Sequence, residues 1–114
     1  MSGRYNIVAD QATTFYFQFQ ILDNNIPWNL GGYTATMTVR PFIGASTTTL
    51  VCSTENGLLT LDVGSGRVQV NVSATTMANI AASRYVYDIV LTSGGGTVTR
   101  ILEGKFIVTA AVTT

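Results

Sequence analysis

The stretch Arg84–Phe106, RYVYDIVLTSGGGTVTRILEGKF, decides the fold. Successive side chains on a strand point to opposite faces, so Tyr85, Tyr87, Ile89 and Leu91 fall on one side and Val86, Asp88 and Val90 on the other. Ser93-Gly94-Gly95-Gly96 interrupts the pattern. A second run then sets Val98 against Thr97 and Thr99 and continues Arg100-Ile101-Leu102-Glu103. Two alternating runs around a glycine cluster predict a β-hairpin with a mobile tip. Folding about those glycines sets Asp88 and Arg100 roughly opposite each other, which predicts a cross-strand ion pair that fixes the register. Partner contact at an exposed sheet face is the functional alternative for these two residues. Arg84 and Glu103 are placed to pair in a similar way.

Working outward, nearly every other segment has a strand period. Tyr5–Ala9 is a short opening strand ending at Asp10-Gln11. Phe15, Phe17, Phe19 and Ile21 share one face of the next, with Tyr16, Gln18, Gln20 and Leu22 on the other. Asp23-Asn24-Asn25-Ile26-Pro27 reads as a turn, because Asp and Asn tolerate a left-handed backbone and proline cannot donate to a ladder. Trp28-Asn29-Leu30 leads to a Gly31-Gly32 corner. Tyr33, Ala35, Met37 and Val39 then point inward, with Thr34, Thr36, Thr38 and Arg40 outward. Pro41 ends that strand, residues 42–46 form a connecting loop, and residues 48–53 form another strand. The Asn56-Gly57 turn leads into Leu58–Leu61, and Gly64-Ser65-Gly66 turns the chain into Arg67–Ser73, where three valines alternate with polar residues. One short helical turn is expected near residues 74–81, capped by Ser73 or Thr75, with Met77 and Ile80 on one side. Lys105–Thr109 ends the pattern. Strands every 8 to 12 residues with turns between them predict an all-β sandwich or small barrel.

The chain has 114 residues, which predicts one domain over 1–114 able to bury its own core. Charged residues make up only 11% against a typical ~25%, and the six basic and six acidic residues cancel. A surface this poor in charge favours association, which predicts a homo-oligomeric or multi-copy protein. Arg4, Arg40, Arg67, Arg84, Arg100 and Lys105 are scattered along the sequence, with no basic stripe to displace counterions from phosphates; no nucleic-acid partner is expected. No apolar run approaches the ~20 residues that span a bilayer, and no signal peptide is visible, so synthesis in a reducing cytoplasm without membrane partners is expected. Cys52, in an apolar run, reads as a small buried hydrophobe.

Reaction chemistry has little to stand on. With no histidine and one cysteine, the commonest general base and the usual metal-ligand sets are missing. Asp10, Asp23, Glu55 and Asp62 sit at predicted turns or strand ends, where carboxylates cap amides. Gly94–Gly96 lacks the following helix of a phosphate loop. No catalytic residue, cofactor or metal is therefore assigned, and no enzyme is expected. Tyr5, Tyr16, Trp28, Tyr33, Tyr85 and Tyr87 are candidates for a stacking platform, with core packing the default; Trp28 is the candidate interface anchor.

Three segments carry a resemblance: Tyr5–Gln11 with Thr14-Phe15, Leu30–Arg40, and Arg84–Ile89 with Val98–Gly104. Together they resemble a family of small virion proteins of tailed bacteriophages, and the match spans essentially the whole chain. Ala12 departs from it, standing where a glycine is expected after Asp10-Gln11. The resemblance implies an immunoglobulin-like antiparallel β-sandwich, similar to baseplate adaptor domains and capsid decoration proteins. It also implies other virion proteins as partners, a place in the virion, and no catalytic residues. A tail or baseplate structural component is thus expected, with a capsid decoration protein and a host-glycan-binding module as alternatives. Exposed strand edges would offer contacts by strand addition. The terminal segments Met1–Tyr5 and Ala110–Thr114 are expected to order only in the assembly.

Overall fold

A computed structural model describes residues 3–110, the side chain of Asp23 excepted. Among these residues the strands, in chain order, are β1 (Gly3–Arg4), β2 (Ile7–Asp10), β3 (Phe15–Gln20), β4 (Leu22–Asp23), β5 (Ile26–Pro27), β6 (Thr34–Arg40), β7 (Leu50–Ser53), β8 (Leu59–Asp62) and β9 (Arg67–Val72). The short helix α1 (Ala74–Ala78) follows, and β10 (Ser83–Thr92) and β11 (Val98–Thr109) end the chain. Two sheets pack face to face as an immunoglobulin-like β-sandwich. One has the order β1-β11-β10-β6-β7, with β2 also on β11; the other is β3-β9-β8, and β4-β5 is a separate small hairpin.

The alternation read from sequence sets the core. Tyr87, Ile89 and Leu91 of β10, Met37 and Val39 of β6, and Phe106 and Val108 of β11 face Phe15 of β3, Val68, Val70 and Val72 of β9 and Leu59 of β8. Phe15 meets Phe106 edge-on across the sandwich, with ring centroids 5.3 Å apart. Among the described residues no polar or charged side chain is buried. Met77 and Ile80 of the α1 region join this core, and Ser73 caps the helix by accepting a hydrogen bond from the Thr76 amide. A helix this short owes its stability to those two anchors.

Two departures from simple alternation arise in β11. It is one twelve-residue strand, in which Lys105–Thr109 continues the second hairpin run. Ile89 pairs with Leu102 but Val90 pairs with Arg100, leaving Ile101 as the extra residue of a β-bulge. The bulge turns both Ile101 and Leu102 toward the core, while Arg100 and Glu103 stay outside.

The second departure is a parallel edge on an otherwise antiparallel sandwich. β1 runs parallel to β11 with Arg4 beside Glu103, and β2 does so with Val8 beside Ile107. The expected single strand from Tyr5 to Ala9 is broken because Tyr5 and Asn6 pass over Gly104. A Cβ on Gly104 would collide with the Tyr5 carbonyl, whose carbon would lie 2.8 Å away. That carbonyl accepts a 2.6 Å hydrogen bond from the Tyr87 hydroxyl, and the Asn6 side chain accepts from the Lys105 amide. Gly3–Tyr5 thus lie against β11, within the N-terminal segment expected to order in the assembly. Of the termini so read, Ala110 is an exposed residue after β11, and Met1, Ser2 and residues 111–114 lie outside the described residues.

Candidate functional site

Two surfaces stand out. The first is a lateral seam where the sandwich is open. Among the described residues β3 has no strand on its outer edge, since β9 covers only the other. Beside that edge a depression of about 570 Å³ is lined by Phe19, Ile21 and Trp28 from one side and by Thr99, Ile101 and Leu102 from the other. The bulge at Ile101 supplies two adjacent apolar side chains to this lining.

Trp28 reaches the seam because the preceding chain folds back on itself. Asn24 and Asn25, at φ 52° and 66°, form the left-handed corner of the β4–β5 hairpin, a conformation asparagine tolerates. The Trp28 amide then donates to the Ile21 carbonyl, and the Ile21 amide to Gly66. Gly66, at φ 68°, is required here, because a Cβ would lie 2.8 Å from both the Ile21 and Trp28 carbonyl oxygens. The half-buried indole packs edge-on against Tyr33 at 5.5 Å. Next to it the hairpin exposes Leu22 and Ile26, the latter at 67%.

The second surface is the outer face of the larger sheet. Across one row lie Arg4, Glu103, Asp88 and Thr38, each opposite the next. Lys105, Val86 and Arg40 form the adjacent row. Arg4, Arg40, Arg100 and Lys105, with Asp88 and Glu103, line a depression of about 710 Å³. Cations scattered in sequence are therefore gathered in space, which residue spacing could not show.

Arg100 Nε lies 3.1 Å from Asp88 Oδ2, and this is the ion pair seen among the described residues. The bulge sets the two diagonally, Arg100 opposite Val90 and Asp88 opposite Glu103. Arg100 is 55% exposed, so the pair is worth no more than about 1 kcal/mol. Burial of Tyr87, Ile89 and Leu91 is far larger, and it is this that holds the register. Arg84 lies opposite Ile107, so the register does not bring it across from Glu103.

Residues 42–46 form the expected connecting loop. Phe42 and Ile43 are 63% and 88% exposed there, and Ile43 and Gly44 rim the charged depression. Arg40 holds this loop through a 2.9 Å hydrogen bond to the Ala45 carbonyl. Two large apolar residues between Pro41 and Gly44 were a visible signal of a contact point.

The remaining candidates disperse. Tyr85 and Tyr87 are buried, Tyr5 stacks on Phe17, and the Tyr16 hydroxyl donates to Gln18 on the outer side of the smaller sheet. The tyrosines and Trp28 therefore build no common stacking platform. Asp88 and Glu103 are the carboxylates brought face to face, and Asp88 is engaged by Arg100. Among the described residues no group of three potential metal ligands occurs, and no helix is long and apolar enough to cross a membrane. Cys52 is fully buried, and burial pushes its thiol up to about 11. Burial, and secondarily Tyr5, raises Tyr87 as well.

No family model and no curated protein matches the chain. Among solved structures it is similar to the N-terminal domain of phage TP901-1 ORF48, at TM-score 0.58 and 16% identity, over 92% of this chain and 85% of that one. The shared feature is the fold. CopC from Methylosinus trichosporium OB3b follows at TM-score 0.49 and 10% identity, covering 99% and 90% of the two chains. Murine CRIg has TM-score 0.39 and 12% identity, covering 93% and 92%.

Proposed function

We propose that this chain is a non-enzymatic structural protein of a tailed-phage particle, docked in multiple copies on the tail or baseplate to join other virion proteins. The observation that carries the reading is the seam: a β3 edge with no strand beside it among the described residues, next to apolar Phe19, Trp28, Ile101 and Leu102. An extended partner segment laid there would add main-chain hydrogen bonds along the edge and insert side chains into the depression. The phage setting is supported by the fold shared with the TP901-1 ORF48 domain and by the resemblance of the three sequence segments. A capsid decoration role is the second reading, and it uses the same surface.

Mass spectrometry of purified particles tests the proposal: the chain should be present in fixed stoichiometry, with a photo-crosslinker at Thr99 capturing a tail or baseplate protein. Crosslinking to the major capsid protein would move the assignment to decoration. Absence from purified particles would rule out both.

A further inference from the structure

We infer that the outer face of the larger sheet is a second docking surface, for an acidic protein segment that also carries apolar side chains. The proposal concerns a face separate from the seam and stands or falls without the phage assignment. Its first support is charge. The depression gathers four cations, Arg4, Arg40, Arg100 and Lys105, against two carboxylates, Asp88 and Glu103, an excess of two positive charges on a chain of zero net charge. Arg100 is engaged with Asp88 and Arg40 with the Ala45 carbonyl. Arg4 and Lys105 have no ion pair among the described residues, so their charges are available to carboxylates of a partner.

The second support is independent of charge. Ile43 is 88% exposed on the rim of the same depression, with Phe42 at 63% beside it. Arg40 anchors their loop, so the two apolar side chains are presented from a tethered backbone. Apolar anchors ringed by complementary charge are the pattern of a protein interface. A nucleic acid fits this face poorly. Its phosphates are evenly spaced and uniformly negative, and an excess of two charges on a face that also carries carboxylates releases few counterions. A protein segment can place its carboxylates over Arg4 and Lys105 and an apolar side chain against Ile43 and Val86.

The test uses the full chain and a short fluorescein-labelled peptide of repeating Asp-Asp-Leu-Leu, which as a strand shows both residue types to one face. Controls are a Lys-Lys-Leu-Leu peptide and oligothymidylate. The acidic peptide should bind, weaken as NaCl is raised, and shift the NMR amide signals of Arg4, Thr38, Ile43 and Lys105. The pair Arg4→Glu and Lys105→Glu should weaken it by about tenfold or more, since each removes a charge-assisted contact. Arg67→Glu, on the other sheet, should leave it unchanged. Lys105→Gln, which adds no repulsion beside Glu103, gives a milder loss and guards against a folding defect in the double variant. Absence of binding, equal binding of the basic peptide, tighter binding of oligothymidylate, or signal shifts confined to the seam would each overturn the proposal.

Discussion

Gly104→Ala tests the central packing argument, because two views of this glycine predict opposite signs. Taken as an ordinary glycine inside a strand, its replacement should stabilise the protein by roughly 0.5–1 kcal/mol, since alanine loses less backbone entropy on folding. The structure predicts the reverse. The new methyl would overlap the Tyr5 carbonyl, a backbone group that cannot rotate away, and would sit 3.2 Å from Asn6 Oδ1. The Tyr5–Asn6 crossing would have to lift off β11. Three hydrogen bonds depend on that crossing: Tyr87 hydroxyl to Tyr5 carbonyl, Tyr5 amide to Glu103 carbonyl, and Lys105 amide to Asn6.

At about 1 kcal/mol per bond, with the higher cost of an unsatisfied group for the buried Tyr87 hydroxyl, the loss is about 3–5 kcal/mol. For a chain of this length that is a fall in Tm of the order of 10–20 °C. Thermal and urea unfolding followed by circular dichroism measures it. Tyr87→Phe supplies the internal control: in the Gly104→Ala background it should cost much less than in the parent, because its hydrogen bond is already gone. A Tm that rises or stays level in Gly104→Ala would refute the close-approach argument.

Other perturbations have smaller or more local effects. Ala12 adopts φ 63°, so Ala12→Gly should relieve left-handed strain and raise stability by about 0.5–1 kcal/mol in urea unfolding, after allowance for a more flexible unfolded chain. Asp88→Ala or Arg100→Ala should cost no more than about 1 kcal/mol, and cross-strand NMR contacts between Ile89 and Leu102 should persist; a slipped register would show that the ion pair matters more than the core face. The Cys52 thiol is neutral in the folded protein up to about pH 11, whereas unfolded it ionises near 9.0. Its raised value means that stability is intact below pH 9 and falls by roughly 2–3 kcal/mol as pH rises to 11, so Cys52→Ala should flatten the Tm-versus-pH curve in that window. Replacing exposed Leu22 and Ile26 by Asp should leave Tm nearly unchanged yet abolish incorporation into particles, and normal incorporation would remove the seam from the docking reading.

The period-two signal carried most of the architecture, because it is written in the same residues that make the core: Ala35, Met37 and Val39, the three valines of β9, and the buried face of β10. Ser73 and the Gly64–Gly66 turn were also legible, since caps and corners use residue types with a physical reason to be there. Even the departure at Ala12 pointed to its cause, a backbone angle that glycine adopts without cost. The parallel N-terminal edge was not legible. It depends on Gly104 leaving room for a segment nearly a hundred residues away in sequence, although a lone glycine inside a strand marks such an approach. The charged face was hidden for a similar reason: Arg4, Arg40 and Lys105 become neighbours only once β1, β6 and β11 take their order in the sheet.

The bulge at Ile101 ties the two surfaces together. A regular strand through Arg100-Ile101-Leu102-Glu103 would put Arg100 and Leu102 on one face and Ile101 and Glu103 on the other, mixing charge with core. The extra residue separates them. Ile101 and Leu102 both go to the seam, while Arg100 and Glu103 both go to the outer face, where half of the chain's twelve charged residues collect. β11 thereby serves an apolar surface through one side and a charged one through the other. On the proposed docking reading, partners of different chemistry would occupy the same copy at once. Among the described residues that line the seam, by contrast, none is charged.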